Sequence, residues 1–149
     1  MALVCREHGA LLIFDEVMCG MGRTGTLHAY QQFDVVPDMM AIGKGLGAGF
    51  APVAGMLVSH RVTDVLAQNG GAFVHGHTYQ NHAVGSAIAL EVQRTIRDEN
   101  LLKNVCALGS LLGDLLETEI GHLAHVGNIR GMGFFWGVGC FTNSLPSIP

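Results

Sequence analysis

Asp15 follows the apolar run Leu11 to Phe14 in LLIFDEVMCGMGRTGT, and Lys44 follows Met39 to Ile42 in MMAIGKGLGAGF, with glycines at 43, 45, 47 and 49. A carboxylate set on the end of an apolar strand is costly to desolvate and calls for a partner. A lysine held in apolar surroundings loses its charge readily, and the free amine forms a Schiff base with an aldehyde. The glycines around Lys44 leave little side-chain bulk, so a flat molecule can approach the backbone closely. A buried aspartate paired with a pyridine nitrogen keeps that nitrogen protonated, and such a ring accepts electrons from a carbanion at a substrate's α-carbon. The two residues together suit that chemistry, with Asp15 as the buried carboxylate and the ring nitrogen as its cationic partner.

The elements that must position them can be read from pattern. Leu11 to Phe14 is a short continuous apolar run, as in a parallel strand buried on both faces. Met39 to Ile42 and Val53 to Ser59, which begins after Pro52, are two more strands. A short helix, Ala2 to His8, stops at Gly9, and Thr26 to Phe33 has room for about two helical turns. Val84, Ile88, Val92 and Ile96 predict a helix over Ala83 to Arg97 with one apolar face. Leu101, Val105, Leu108, Leu112 and Leu115 predict a second long helix, ending near Gly121, whose leucine stripe packs a core. His122 to Gly139 reads as two short strands joined through Asn128 to Gly131, with Arg130 in the turn. Alternating strands and helices give an α/β class, in which the carboxyl ends of the strands line the ligand crevice.

Composition narrows the function. The chain has 149 residues, 49% hydrophobic and 13% charged, enough apolar content for one domain's core. A net charge of -4 with eight scattered basic residues offers no stripe for nucleic acid or an anionic membrane. The longest apolar run, Ala48 to Val58, contains Pro52 and is too short to span a bilayer. Arg6, Glu7 and His8 interrupt what would be a secretion signal. Cys5, Cys19, Cys106 and Cys140 lie far apart and read as reduced thiols of an intracellular protein, cytoplasmic or mitochondrial. His75, His77 and His82 fit no standard zinc spacing, so no metal is expected. Glu16 reads as structural, paired with Arg23. Gly43, Gly45 and Ala48 with Asp64 fit a loosened dinucleotide fingerprint, but Pro52 argues against the helix that it requires. A Walker loop fails because Asp38 occupies its first glycine position.

DEVMCGMGRTG, PDMMAIGKGLGAGFAPVAG and GHTYQNHAVGSAIALEV occur in the order found in class III pyridoxal phosphate-dependent aminotransferases, the ornithine, acetylornithine and omega-amino acid type of fold type I. The chain resembles that family over roughly Met1 to Val138. The resemblance implies a partial cofactor-binding large domain over 1–97, a mostly parallel sheet with helices. A linking helix (98–121), the start of a small C-terminal domain (122–139) and a divergent tail (140–149) would follow. It implies a transaminase that moves an amino group from an amine or amino acid to a keto acid with pyridoxal 5'-phosphate. Lys44 would be the Schiff-base lysine, Asp15 the residue on the pyridine nitrogen, and Val17 the residue packed on the ring. Thr78 would reach the cofactor phosphate of a neighbouring subunit in a homodimer. Met18 stands where many members carry a glutamine that touches the cofactor's phenolic oxygen. The family's phosphate loop and stacking aromatic lie upstream of these motifs, and its carboxylate-binding arginine lies downstream. The chain is therefore expected to be an internal fragment, either active as its parent would be, or silent and acting only by association with a full-length homologue.

Overall fold

The computed structural model describes residues 1–68 and 70–141; the last eight residues of the predicted tail lie outside them. Helix α1, Ala2–Glu7, gives way to Gly9, whose φ of +66° suits glycine after a helix. Strand β1, Ile13–Asp15, then pairs in parallel with β2, Met39–Ile42. A short 3-10 turn, Ala29–Gln32, lies within the stretch predicted to be helical. Another, Lys44–Leu46, follows β2 directly. Strand β3, Gly55–Val58, runs antiparallel to β2, so the sheet has the order β1-β2-β3 with one parallel and one antiparallel pair. Three helices follow, α2 (His60–Gln68), α3 (Ala83–Asp98) and α4 (Leu101–Ile120). The described chain ends in a hairpin of β4, Val126–Met132, and β5, Phe135–Cys140.

Strand β2 is held in place by a charged clamp at its entry. Asp38 Oδ2 accepts from the Leu12 amide at 2.8 Å, and Arg61 Nη1 donates to both oxygens of Asp38 at 3.0 and 3.1 Å. Arg61 also donates to the carbonyls of Gly9 and Ala10. One carboxylate thereby ties the start of β1, the start of β2 and α2 together. The Leu12 amide first, and then the guanidinium, hold the Asp38 carboxyl below the usual aspartate value.

The hairpin departs from the predicted turn. Asn128 to Gly131 lie inside β4, where Arg130 pairs with Gly137 and donates to Asn128 Oδ1 at 2.8 Å. The connection is Gly133-Phe134, with Gly133 at φ +57°, as the first central residue of a type II′ turn requires. The face of α4 that packs also differs. Leu108 and Leu115 are nearly half exposed, and the residues that α4 buries are Gly109 and Gly113. A Cβ on Gly109 would lie 2.5 Å from Gly133 Cα, and one on Gly113 would lie 2.5 Å from the Trp136 ring. Bare backbone on α4 lets the hairpin seat directly on the helix.

The expected core is largely missing. Met40 is the one buried hydrophobic residue among those described, and most other buried positions are glycines. Ile13 is 58% exposed, so β1 is not covered on both faces. The accessible surface is 10846 Å², whereas a compact monomer of this mass exposes about 7300 Å². The apolar content is present, but few of its side chains find one another within the chain.

Two outcomes follow. Gly→Ala in a free helix position gains about 1 kcal/mol, but overpacking costs about 1–3 kcal/mol. Gly109→Ala is therefore expected to lower the urea midpoint and to shift the emission of the sole tryptophan, Trp136, to the red. A raised midpoint would show that the hairpin does not seat there. Because its pKa is lowered in the folded chain, Asp38 contributes stability that is fully present above about pH 4 and lost as pH falls through its folded value. Asp38→Asn should flatten the acid limb of the urea midpoint against pH, with little change in slope near pH 7.

Candidate functional site

Asp15 and Lys44 are set by the β1–β2 register. Asp15 stands opposite Ala41, and Lys44 comes three residues further along the same direction. Parallel strands lie about 4.8 Å apart, so acid and amine emerge from one end of the sheet on adjacent strands. Lys44 breaks from the strand at φ +41°, at the head of the Lys44–Leu46 turn, which the Leu46 amide closes on the Gly43 carbonyl at 2.9 Å. Val17 flanks the gap between them, since a Cβ on Gly43 would meet Val17 Cγ1 at 3.6 Å. Lys44 also lines an open cavity of about 1090 Å³ with Met21, Phe50, Ile88 and Glu91.

The burial of the two adjacent carboxylates is the reverse of the expectation. Asp15 is exposed, with Oδ1 accepting from the Val17 amide at 3.0 Å, and no protein group within the described residues bonds its second oxygen. Glu16 is the buried one, at 2% exposure, and it is structural as expected. Its partners are not Arg23, however. Its two oxygens accept from the amides of Ala29 and Tyr30 at 2.6 and 2.7 Å, at the start of the Ala29–Gln32 turn. Backbone amides with no carbonyl partner in that first turn take the place of a cation.

The neighbouring side chains divide into those at this end of the sheet and those elsewhere. Met18 is 56% exposed. Burial first, and then the Glu16 charge, push the Cys19 thiol above its ordinary pKa, which disfavours it as a competing nucleophile. Thr78 lies in an exposed turn between Gly70 and His82 and does not line the cavity beside Lys44. His82 caps α3 by accepting from the Gly85 amide at 3.1 Å, and His77 accepts from the Tyr79 amide at 3.2 Å. His75 packs edge-on against Phe73. Beyond Lys44 the chain makes a three-residue 3-10 turn and then a bend, not the helix a dinucleotide loop needs, and Asp64 lies within α2.

The donor set fits part of a pyridoxal-type cofactor. Asp15 offers an oxygen that no group among the described residues bonds, Val17 an apolar flank and Lys44 an amine. Pattern reading missed Met21, which packs on the Lys44 turn, and Gln93, whose Nε2 donates to Met21 Sδ at 3.4 Å. The GMG triplet held the signal for Met21, a large side chain set between two glycines. No helix among the described residues is long and apolar enough to cross a membrane.

The Aminotransferase class-III family profile matches residues 1–146, including most of the stretch that was expected to diverge after Gly139. An aminotransferase of Gibberella zeae is 57% identical over 136 residues, covering 91% of this chain and 27% of its own length. The structure of a Bacillus anthracis aminotransferase superposes with a TM-score of 0.87 at 36% identity, over 93% of this chain and 31% of that one. Taurine:2-oxoglutarate aminotransferase from Bifidobacterium kashiwanohense, solved with PLP and glutamate, does so with a TM-score of 0.87 at 32% identity, over 93% and 31%. The chain thus spans about a third or less of the length of these relatives. A profile that runs through nearly every residue and a shared fold at these identities have one explanation: the chain belongs to the class III aminotransferase family.

Proposed function

We propose that this chain carries the lysine-bearing half of a pyridoxal 5'-phosphate-dependent transaminase site, in a protein that moves an amino group from an amine or amino acid to a keto acid. The observation that carries the reading is the emergence of Asp15 and Lys44 from one end of adjacent parallel strands. When bound, the cofactor supplies an aldehyde for an amine to condense with and a ring that withdraws electrons from the substrate's α-carbon. Lys44 holds the cofactor through its amine. When not engaged with the cofactor, the same amine would serve as general base and acid for the proton on the substrate's α-carbon. Asp15 directs its free carboxylate oxygen to the ring nitrogen and keeps a proton there. Val17 packs on one face of the ring. Thr78 serves a phosphate contributed to a second subunit's site, which agrees with its exposure on the 70–82 segment.

A second reading, in which the chain is silent alone and acts only by associating with a full-length homologue, is favoured by the surface excess of this chain. The chemistry separates the two, because Lys44 and Lys103 are the only lysines. After incubation with pyridoxal phosphate and borohydride, peptide mapping should place the reduced adduct on Lys44 and leave Lys103 nearly unmodified. Lys44→Ala should abolish it and lower any transaminase turnover by at least about 100-fold. Equal modification of Lys44, Lys103 and the amino terminus would overturn the first reading.

A further inference from the structure

Lys44 holds a backbone conformation that an L-residue adopts at a cost. Its φ of +41° is in the left-handed region, and so is the φ of +53° at Met21. Such a conformation is unfavourable for a residue with a Cβ and persists only where its surroundings dictate it. Ordinary turn chemistry places glycine at such positions, and the residues beside Lys44 are indeed glycines. Something other than intrinsic preference therefore holds Lys44 there.

The two strained residues face each other across Gly45. A Cβ on Gly45 would lie 2.9 Å from Met21 Cβ and 3.5 Å from Met21 Cγ, so the Met21 side chain rests on the backbone of the residue that follows Lys44. From the other side, Gln93 Nε2 on α3 donates to Met21 Sδ at 3.4 Å. The loop that carries Met21 is itself pinned. The Gly22 amide donates to the Leu27 carbonyl at 3.1 Å, and the Phe134 amide of the β4–β5 turn donates to the Arg23 carbonyl at 2.9 Å. Leu102 and Cys106 of α4 close on Gly22 and Gly25, where a Cβ would lie 2.9 and 2.8 Å from their side chains. Met21 is thus a wedge driven from a fixed loop onto the Lys44 turn.

We infer that Met21 is a positioning residue, whose side chain holds the Lys44–Leu46 turn in its left-handed start and so aims the Lys44 amine. This rests on the transaminase reading for its meaning in catalysis, but not for the geometry. Met21→Gly removes the wedge while relieving the strain at its own position, so stability should hold or rise as the Lys44 turn relaxes. Met21→Leu keeps the bulk and loses only the sulfur acceptor.

The test uses the full chain without cofactor. Reductive methylation with formaldehyde and cyanoborohydride, followed by mass spectrometry, gives the rate at Lys44 relative to Lys103 in the wild type, M21G and M21L. The expected result is a relative rate changed by at least about threefold in M21G, unchanged in M21L, with the thermal midpoint of M21G held or raised. The inference is overturned by an unchanged ratio in M21G, by a change in M21L equal to that in M21G, or by a change that tracks a loss of thermal midpoint. Pyridoxal phosphate trapping in the same three proteins separates the two proposals. If the wild type traps none at Lys44 while the methylation ratios behave as expected, the transaminase reading fails and the wedge stands.

Discussion

Ile13, Phe14 and Asp15 run alongside Met39, Met40 and Ala41, and this short parallel pairing decides what the end of the sheet presents. Alternation along a strand has a period of two, so the adjacent carboxylates at 15 and 16 cannot share a face. One is turned to the open end of the sheet and the other is buried. A slip of one residue would exchange them, placing Glu16 where Asp15 stands and leaving the amides of Ala29 and Tyr30 without an acceptor. The Asp38 clamp fixes the pairing at its other end through the Leu12 amide. The register is therefore held at entry by one carboxylate and at exit by another.

What packs around that pairing is mainly backbone. Gly20, Gly22, Gly25, Gly43 and Gly47 are buried in the loops that leave β1 and β2, and Gly109 and Gly113 are buried on α4. Close approach of chain to chain gives precise placement, because at all of these but Gly43 a single added methyl would meet another atom at under 3 Å. It contributes little of the hydrophobic free energy that larger side chains would supply. The loop bearing Met21 shows the first property, being fixed by amide bonds and by glycine contacts from α4 and the hairpin.

The placement of Asp15 and Lys44 at one end of adjacent strands was legible because each follows an apolar run of strand length. Helices α3 and α4 were legible from their periodicity. Four features were not. The partners of Glu16 are amides 13 and 14 residues downstream, and no local pattern marks an amide as available. Asn128 to Gly131 has turn composition, yet Gly133 at φ +57° forms the turn and Gly131 instead lets β5 lie close. The α4 leucines had the right period, but a hydrophobic stripe does not say whether a neighbour exists to cover it. Strand β3 gave no sign of its antiparallel direction, since a short apolar run reads the same either way.

The surface excess bears on the chemistry itself. It amounts to roughly 3500 Å², about twice what a standard protein–protein interface buries. Part of it lies at the site, where Asp15 and Lys44 are both open to water. Water competes for every hydrogen bond that a carboxylate and an amine would give a bound ring, and exclusion of water is what strengthens such contacts. Geometry and environment are therefore separable here: the strand register brings Asp15 and Lys44 to one end of the sheet, while both side chains stay open to water. A chain that spans about a third or less of its relatives' length thus sets Asp15 and Lys44 side by side without enclosing either of them.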